Sequence, residues 1–300
     1  MTVGVFWHPD IFLHDMHARH VAMDAHRIQR IAREVLAVKG THACLSSPAS
    51  MDQLLRVHDA DYLALLASSE TECPAEQIEL APDTELNQHT WRAISLSAGG
   101  ACQAVEAVLA NRYAHAFNMG YAGHHAEWAA GGGFCFINTT LVAALHAQAM
   151  GVGRVAVLDF DVHSGNGTVL GLLARPEFLF AETYQRGYPG AFLKKTSRPA
   201  HILRKKCERR DDVIRAWSQF FETLAAWSPQ LLVVSAGFDA HRQDPLGTLG
   251  LLDSDYEWIA KGLLGLGAPV VANLEGGYSE EATPRCAALF ASALAGSSQV

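Results

Sequence analysis

Short apolar runs with no polar alternation mark the second half of this chain. Val155-Ala156-Val157-Leu158, Leu231-Leu232-Val233-Val234 and Val270-Val271-Ala272 each read as a strand buried on both faces, the signature of a parallel sheet. Each run then breaks into glycine and polar residues, so three strand ends carry the same kind of punctuation. Residues 3–7 read as a further strand, and 114–119 and 177–182 as short ones. Helical spacing predicts helices over 18–38 (ended by Gly40), 51–66 with an interruption at 57–62, 91–109, 139–150, 211–227, and 253–266 capped by Asp253. Residues 68–83 and 183–199 read as loops. Strands alternating with helices predict an α/β fold, a parallel sheet flanked by helices. No repeat or linker interrupts the pattern, so a single domain over 1–300 is expected.

The run at 155–158 continues into Asp159-Phe160-Asp161-Val162-His163-Ser164-Gly165-Asn166-Gly167. If the extended backbone persists, Asp159, Asp161 and His163 leave on one side while Phe160 and Val162 leave on the other. Gly165 and Gly167 release the chain into a loop, placing this cluster at the carboxyl end of its strand, where open parallel sheets bind ligands. Asp239, at another strand end, is the natural third metal ligand, because a catalytic zinc takes three protein ligands and leaves a position for water. Carboxylate ligands lower the effective charge of such an ion, so a separate base is needed. His124 and His125 can supply one, with Asp159 orienting one ring and Asn166 the other. Tyr278, after two glycines, is a candidate donor to a developing oxyanion.

Composition changes the picture only at its edges. The balance of 49% hydrophobic and 18% charged residues is that of a globular protein, and no run approaches the roughly 18 apolar residues of a membrane span. The amino terminus reads as a strand, not a targeting segment. Six cysteines lack metal or disulfide spacing, so a reducing cytoplasm is expected. A net charge of −8 argues against a nucleic-acid partner, and the basic cluster Arg204-Lys205-Lys206 with Arg209-Arg210 reads as solvated surface.

Five motifs occur in one order along the chain: Gly123-His124-His125-Ala126, Gly133-Phe134-Cys135-Phe136-Ile137-Asn138, Asp159-Phe160-Asp161-Val162-His163 with Gly165-Asn166-Gly167-Thr168, Ser235-Ala236-Gly237-Phe238-Asp239-Ala240-His241 with Asp244-Pro245-Leu246-Gly247, and Glu275-Gly276-Gly277-Tyr278. In these the chain resembles the histone deacetylase family, which includes acetylpolyamine amidohydrolases and acetoin-utilisation proteins. The resemblance implies the arginase/deacetylase fold and zinc-dependent hydrolysis of an acylated amine. On the matching positions it implies one zinc held by Asp161, His163 and Asp239, with His125 as general base. His124 would assist electrostatically or as an acid, Asp159 and Asn166 would hold the histidines, and Tyr278 would polarise the acyl carbonyl. It further implies a substrate channel walled by Gly133, Phe134 and Tyr188, with Leu246 and Asp83 at its rim. A structural potassium ion near Asp159, Asp161 and His163 is implied as well.

The chain departs from the family pattern at Ser164, where a second histidine is usual, and at Tyr121-Ala122, where paired prolines are. Other departures are His20-Val21-Ala22 in place of His-Pro-Glu, Thr139 in place of an asparagine, and Glu182-Thr183 at the potassium sequence. None removes a metal ligand. The expected substrate is acyl-lysine in a peptide or protein. The rivals are an acetylpolyamine or other small amide, against which Leu246 speaks because an acid there would hold a second ammonium group, and a metal-holding pocket that binds acyl-amines without cleaving them. A two-metal ureohydrolase would need more bridging carboxylates than this set contains.

Overall fold

A computed structural model describes residues 1–16, 25–72, 78–185 and 199–296. Its centre is a sheet of eight parallel strands. In chain order the described elements are β1 (Val3–Trp7), α1 (Ala25–Leu36), β2 (Thr41–Leu45), α2 (Met51–Leu54), α3 (Ala60–Glu72), β3 (Ile78–Ala81), β4 (Thr84–Leu86), α4 (Thr90–Leu109), β5 (His115–Asn118), α5 (Thr139–Ala149), β6 (Val155–Asp159), α6 (Asn166–Leu172), β7 (Phe178–Gln185), β8 (Ile202–Cys207), α7 (Arg210–Trp227), β9 (Leu231–Ala236), α8 (Asp253–Leu264), β10 (Val270–Leu274) and α9 (Ala282–Leu294). The strand order is β2-β1-β5-β10-β9-β6-β7-β8. The three apolar runs legible in the sequence are therefore β6, β9 and β10, side by side at the middle of the sheet and buried along their whole length.

Helices cover both faces, as parallel strands require. One layer runs α1, α9, α8, α7 by successive contact, the other α3, α4, α5, α6. Phe160, just beyond β6, packs its ring against Phe238, Tyr256 of α8 and Phe290 of α9. Burying each such ring contributes about 1.5–3 kcal/mol.

One level of the sheet is polar. Register pairs Asn118 with Asn273, Asn273 with Ser235, Ser235 with Asp159, Asp159 with Glu182, and Glu182 with Arg204. These residues share one register level across the sheet, where Asn118 Nδ2 donates to Asn273 Oδ1 at 3.1 Å and Arg204 is ion-paired with Glu182.

Several boundaries differ from the sequence reading. Two edge strands, β2 and β8, were not expected; β2 is largely exposed, and β8 carries the charged Arg204-Lys205-Lys206, so neither has the apolar run of a central strand. Arg204 is not solvated surface but buried, while Arg210 pairs with Asp255. The expected loop at 68–83 instead contains the end of α3 and the β3–β4 hairpin. Asp253 is not a cap: Leu252 precedes α8, its N–H donates to Asp255, and Asp253 receives Arg285. The first helix begins among the described residues at Ala25, so its expected start at 18 and the His20-Val21-Ala22 segment lie outside them, as do Cys73 and the Gly187-Tyr188-Pro189-Gly190 stretch. The five described cysteines are free thiols, and no described helix is long and apolar enough to cross a membrane.

Candidate active site

The strand β6 stops at Asp159, so alternation along an extended backbone does not deliver Asp161 and His163 to the site. Two successive side-chain turns do. Asp159 Oδ1 accepts the N–H of Asp161 at 3.0 Å, and Asp161 Oδ1 accepts the N–H of His163 at 2.8 Å, the local bonding that aspartate favours where a chain must turn. Neighbouring strand ends complete the cradle. Gly276 N–H donates to Asp161 Oδ2, and Val162 N–H donates to Asp239 Oδ1, each at 2.8 Å. A Cβ on Gly276 would lie 2.2 Å from Asp239 Oδ2 and 2.6 Å from Asp161 Oδ2, so this position has room only for glycine.

Nδ1 of His163 stands 3.0 Å from Asp161 Oδ1 and 3.0 Å from Asp239 Oδ2, and the potential ligand atoms of the three residues all lie within 4.8 Å of one another. Asp239 Oδ2 is buried without a hydrogen bond. Burial opposes charge on His163, yet Asp161 and Asp239 hold its pKa up at about 10. Burial, reinforced by Asp161, raises Asp239 to about 7. Two buried carboxylates around one imidazole, with one oxygen unbonded, fit a divalent cation.

Two other buried groups among the described residues have ligand-type side chains close together, and both are otherwise engaged. Glu275, beside His124 and Cys135, accepts the N–H groups of Gly123 and His124 and the hydroxyls of Thr140 and Ser235. Asp253, beside His241 and Cys286, holds the Arg285 guanidinium through both oxygens.

The histidine pair sits against this cradle. His124 Nδ1 lies 2.9 Å from Asp159 Oδ2, and its Nε2 lies 3.8 Å from Asp161 Oδ1. Although burial works against it, Asp161 and Asp159 raise the His124 pKa well above the ordinary histidine value. His125 Nδ1 lies 2.7 Å from Asn166 Oδ1, and burial together with the neighbouring His124 and His163 lowers its pKa to about 3. The two rings are only 4.1 Å apart.

A cavity of about 450 Å³ opens beside His125 and His163 and is walled by Phe134, Tyr278, Asp83 and Glu127. The Phe134 and Tyr278 rings meet edge-on at 6.1 Å. Burial raises the Tyr278 pKa well above the ordinary value, so it remains an O–H donor. Its loop is clamped from both sides: Asp244 accepts the Tyr278 N–H at 2.7 Å, and Arg27 donates to the carbonyls of Glu275 and Gly277 at 2.5 Å each, with its guanidinium 5.1 Å from the Tyr278 ring.

Gly133 has φ of +58° and Phe134 of +65°, and a Cβ at Gly133 would come 2.4 Å from the His125 ring. Asp83, in the β3–β4 turn, lies at the cavity but spends Oδ1 on the Gly133 N–H and the Thr84 hydroxyl. Leu246 is half-buried and is not among the described residues that line the cavity. Tyr188 lies outside the described residues.

The sequence reading gave no role to Glu275, Arg27, Asp244 or Glu127. Glu275 left a signal as an acid directly after an apolar strand, and Asp244 as part of a matching motif; Arg27 and Glu127 lie far from their partners in sequence. Nor did it foresee that Arg204 donates to Glu182 and, at 2.5 Å, to Ser164 Oγ, while Glu182 Oε2 accepts the Gly165 N–H at 3.0 Å. That buried ion pair braces the turn behind His163. The Glu182 carboxylate is taken up by Arg204, Ser164 and Gly165.

The sequence model of the histone deacetylase domain matches residues 20–294. A histone deacetylase-like amidohydrolase of Pseudomonas aeruginosa is 33% identical over 279 residues, covering 86% of this chain and 73% of that protein. Among solved structures, the HDA15 HD domain superposes with a TM-score of 0.92 at 23% identity, covering 100% of this chain and 90% of that one. An acetylpolyamine aminohydrolase from Burkholderia pseudomallei does so with 0.86 at 24% identity, covering 98% of each. These two likenesses bear on the fold, a mostly parallel sheet between helices.

Proposed function

The chain belongs to the histone deacetylase domain family, and from that premise we propose that it is a zinc-dependent amidohydrolase. It removes an acetyl or other short acyl group from an acylated amine, acyl-lysine foremost, and residues 1–300 act as one catalytic unit. The observation that carries this reading is the convergence of Asp161, His163 and Asp239 next to His125 and Tyr278 on one cavity.

Asp161, His163 and Asp239 would hold a zinc ion, which when bound would supply Lewis acidity toward the acyl carbonyl and make water a better nucleophile at neutral pH. The chain's own residues do the rest. His125 is neutral, with Nδ1 on Asn166, so Nε2 is the lone pair that takes a proton from the attacking water. Tyr278 donates its O–H to the oxyanion forming on the acyl carbonyl. His124, protonated between Asp159 and Asp161, adds positive charge beside that developing anion. As the C–N bond breaks, the proton held on His125 passes to the departing nitrogen, giving a carboxylate and a free amine.

The aromatic edges of Phe134 and Tyr278 suit an aliphatic stem. The free cysteines support a reducing, cytoplasmic setting. The test is acetate release by zinc-loaded protein from acetyl-lysine peptides and from acetylated diamines. Chelator should abolish release, zinc should restore it, and peptides should be the faster class. Zinc-loaded protein that releases no carboxylate from either class would overturn the reading.

A further inference from the structure

His125 rests on an amide, not a carboxylate, and an amide has two different ends. Asn166 serves a histidine only when Oδ1 faces Nδ1; rotated by half a turn it would present N–H to N–H, or force the ring into its other tautomer. Something must hold the amide the right way round, and the structure contains it. Asn166 Nδ2 donates to Glu127 Oε1 at 2.8 Å and, at a longer 3.4 Å, to the His125 carbonyl, while Asn166 Oδ1 faces His125 Nδ1 at 2.7 Å. An ionised carboxylate only accepts, so it selects the NH₂ end of the amide and leaves the carbonyl end for the histidine.

Glu127 is itself held by its backbone. Its N–H donates to Ala130 O at 2.9 Å, and its carbonyl lies 2.9 Å from Nδ1 of the buried His58. The other nitrogen of His58 accepts the Asn138 N–H at 2.9 Å, which leaves Nδ1 as the donor to Glu127. The Glu127–Asn166–His125 bonds have a defined direction, and the last one leaves Nε2 of His125 free of a proton. Glu127 is half-buried and lines the wall of the cavity.

We propose that Glu127 is a positioning residue for His125, setting its orientation and tautomer through the Asn166 amide. The proposal rests on the reading of His125 as the base given above. It makes an unusual demand on double variants. Glu127→Ala frees the amide to rotate and should lower kcat about tenfold with KM changed by no more than about twofold. Glu127→Gln, the same size and still able to accept, should lose less. Asn166→Asp alone should also be slow, because it sets two carboxylates against each other. In the Glu127→Ala background the same Asn166→Asp change should instead help, restoring kcat to within about threefold of the wild type, since a carboxylate has no wrong end.

An unchanged kcat in Glu127→Ala, or a double variant no faster than Glu127→Ala, would overturn the proposal. Long-range proton–nitrogen spectra of His125 supply a readout independent of turnover: the wild-type ring should carry its proton on Nδ1, and Glu127→Ala should show a mixture. Should the wild type hydrolyse no acylated amine, the base assignment fails while these spectra still decide the role of Glu127. A spectrum unchanged by Glu127→Ala counts against it in either case.

Discussion

His124 and His125 are consecutive, buried and half-buried respectively, and 4.1 Å apart, yet their surroundings drive them to opposite states. One imidazole lies between the carboxylates of Asp159 and Asp161 and keeps a proton; the other has an amide and two cationic neighbours and gives its proton up. Desolvation acts on both and favours the neutral form. It loses at His124, where opposite charges stand 2.9 and 3.8 Å away, and wins at His125, where the partner carries no charge. Two carboxylates around one ring and a single amide at the other thus convert one residue type into a cation and a neutral imidazole.

The bluntest way to break this comparison is Asp161→Ala, which removes a counter-charge from His124 and a cradle oxygen at once. Metal content by elemental analysis should fall to background and turnover by about 10³-fold or more. Next in size, His125→Ala should cost about 10²–10⁴-fold in kcat/KM, and His124→Ala at least about tenfold less, because only His125 is placed to move the proton. Equal losses would dissolve the distinction. Tyr278→Phe tests the opposite wall: bound metal should be retained while turnover drops about 10²-fold, and retained turnover would retire its oxyanion role.

The gentlest test is the pH dependence of stability in the metal-free protein. His125 has a folded pKa of about 3, below its unfolded value, so between pH 7 and 5 the unfolded state binds a proton that the folded state refuses. It should destabilise the fold by about 2 kcal/mol over that window. His124 is raised, so the stability it contributes is fully present below its unfolded pKa and is lost only as pH rises through the folded one. Denaturant melts at both pH values should therefore show a flatter acid slope for His125→Gln and a steeper one for His124→Gln.

Both histidines, the paired aspartates and Tyr278 were visible in the sequence as positions because they interrupt or follow strongly patterned segments. The central strands β6, β9 and β10 were visible for the same reason: a strand buried on both faces has no choice but to be apolar. Edge strands have that choice. β2 is half exposed, and β8 hides Arg204 while displaying Lys205 and Lys206, so no period survives in either. The residues that brace the site were illegible for a different reason. Arg27 reaches the Gly277 carbonyl across 250 positions of sequence, and Glu275 meets Gly123 across 152, contacts that only the closed sheet creates. Alternation did place Asp161 and His163 near Asp159, but the route is a pair of side-chain turns, which period-two reasoning does not contain.

Two consecutive residues with left-handed backbone, Gly133 and Phe134, shape one side of the cavity. Phenylalanine holds that conformation at a cost of about 1–2 kcal/mol, and any side chain at position 133 would strike the ring of His125. The bore of the pocket on this side is consequently written in main-chain torsions, and it is mechanically joined to His125, the proposed base. Widening it by trimming Phe134 leaves that contour intact, whereas altering the contour itself displaces His125. Selectivity on this flank can thus be retuned by the identity of residue 134 but not by remodelling the loop that carries it.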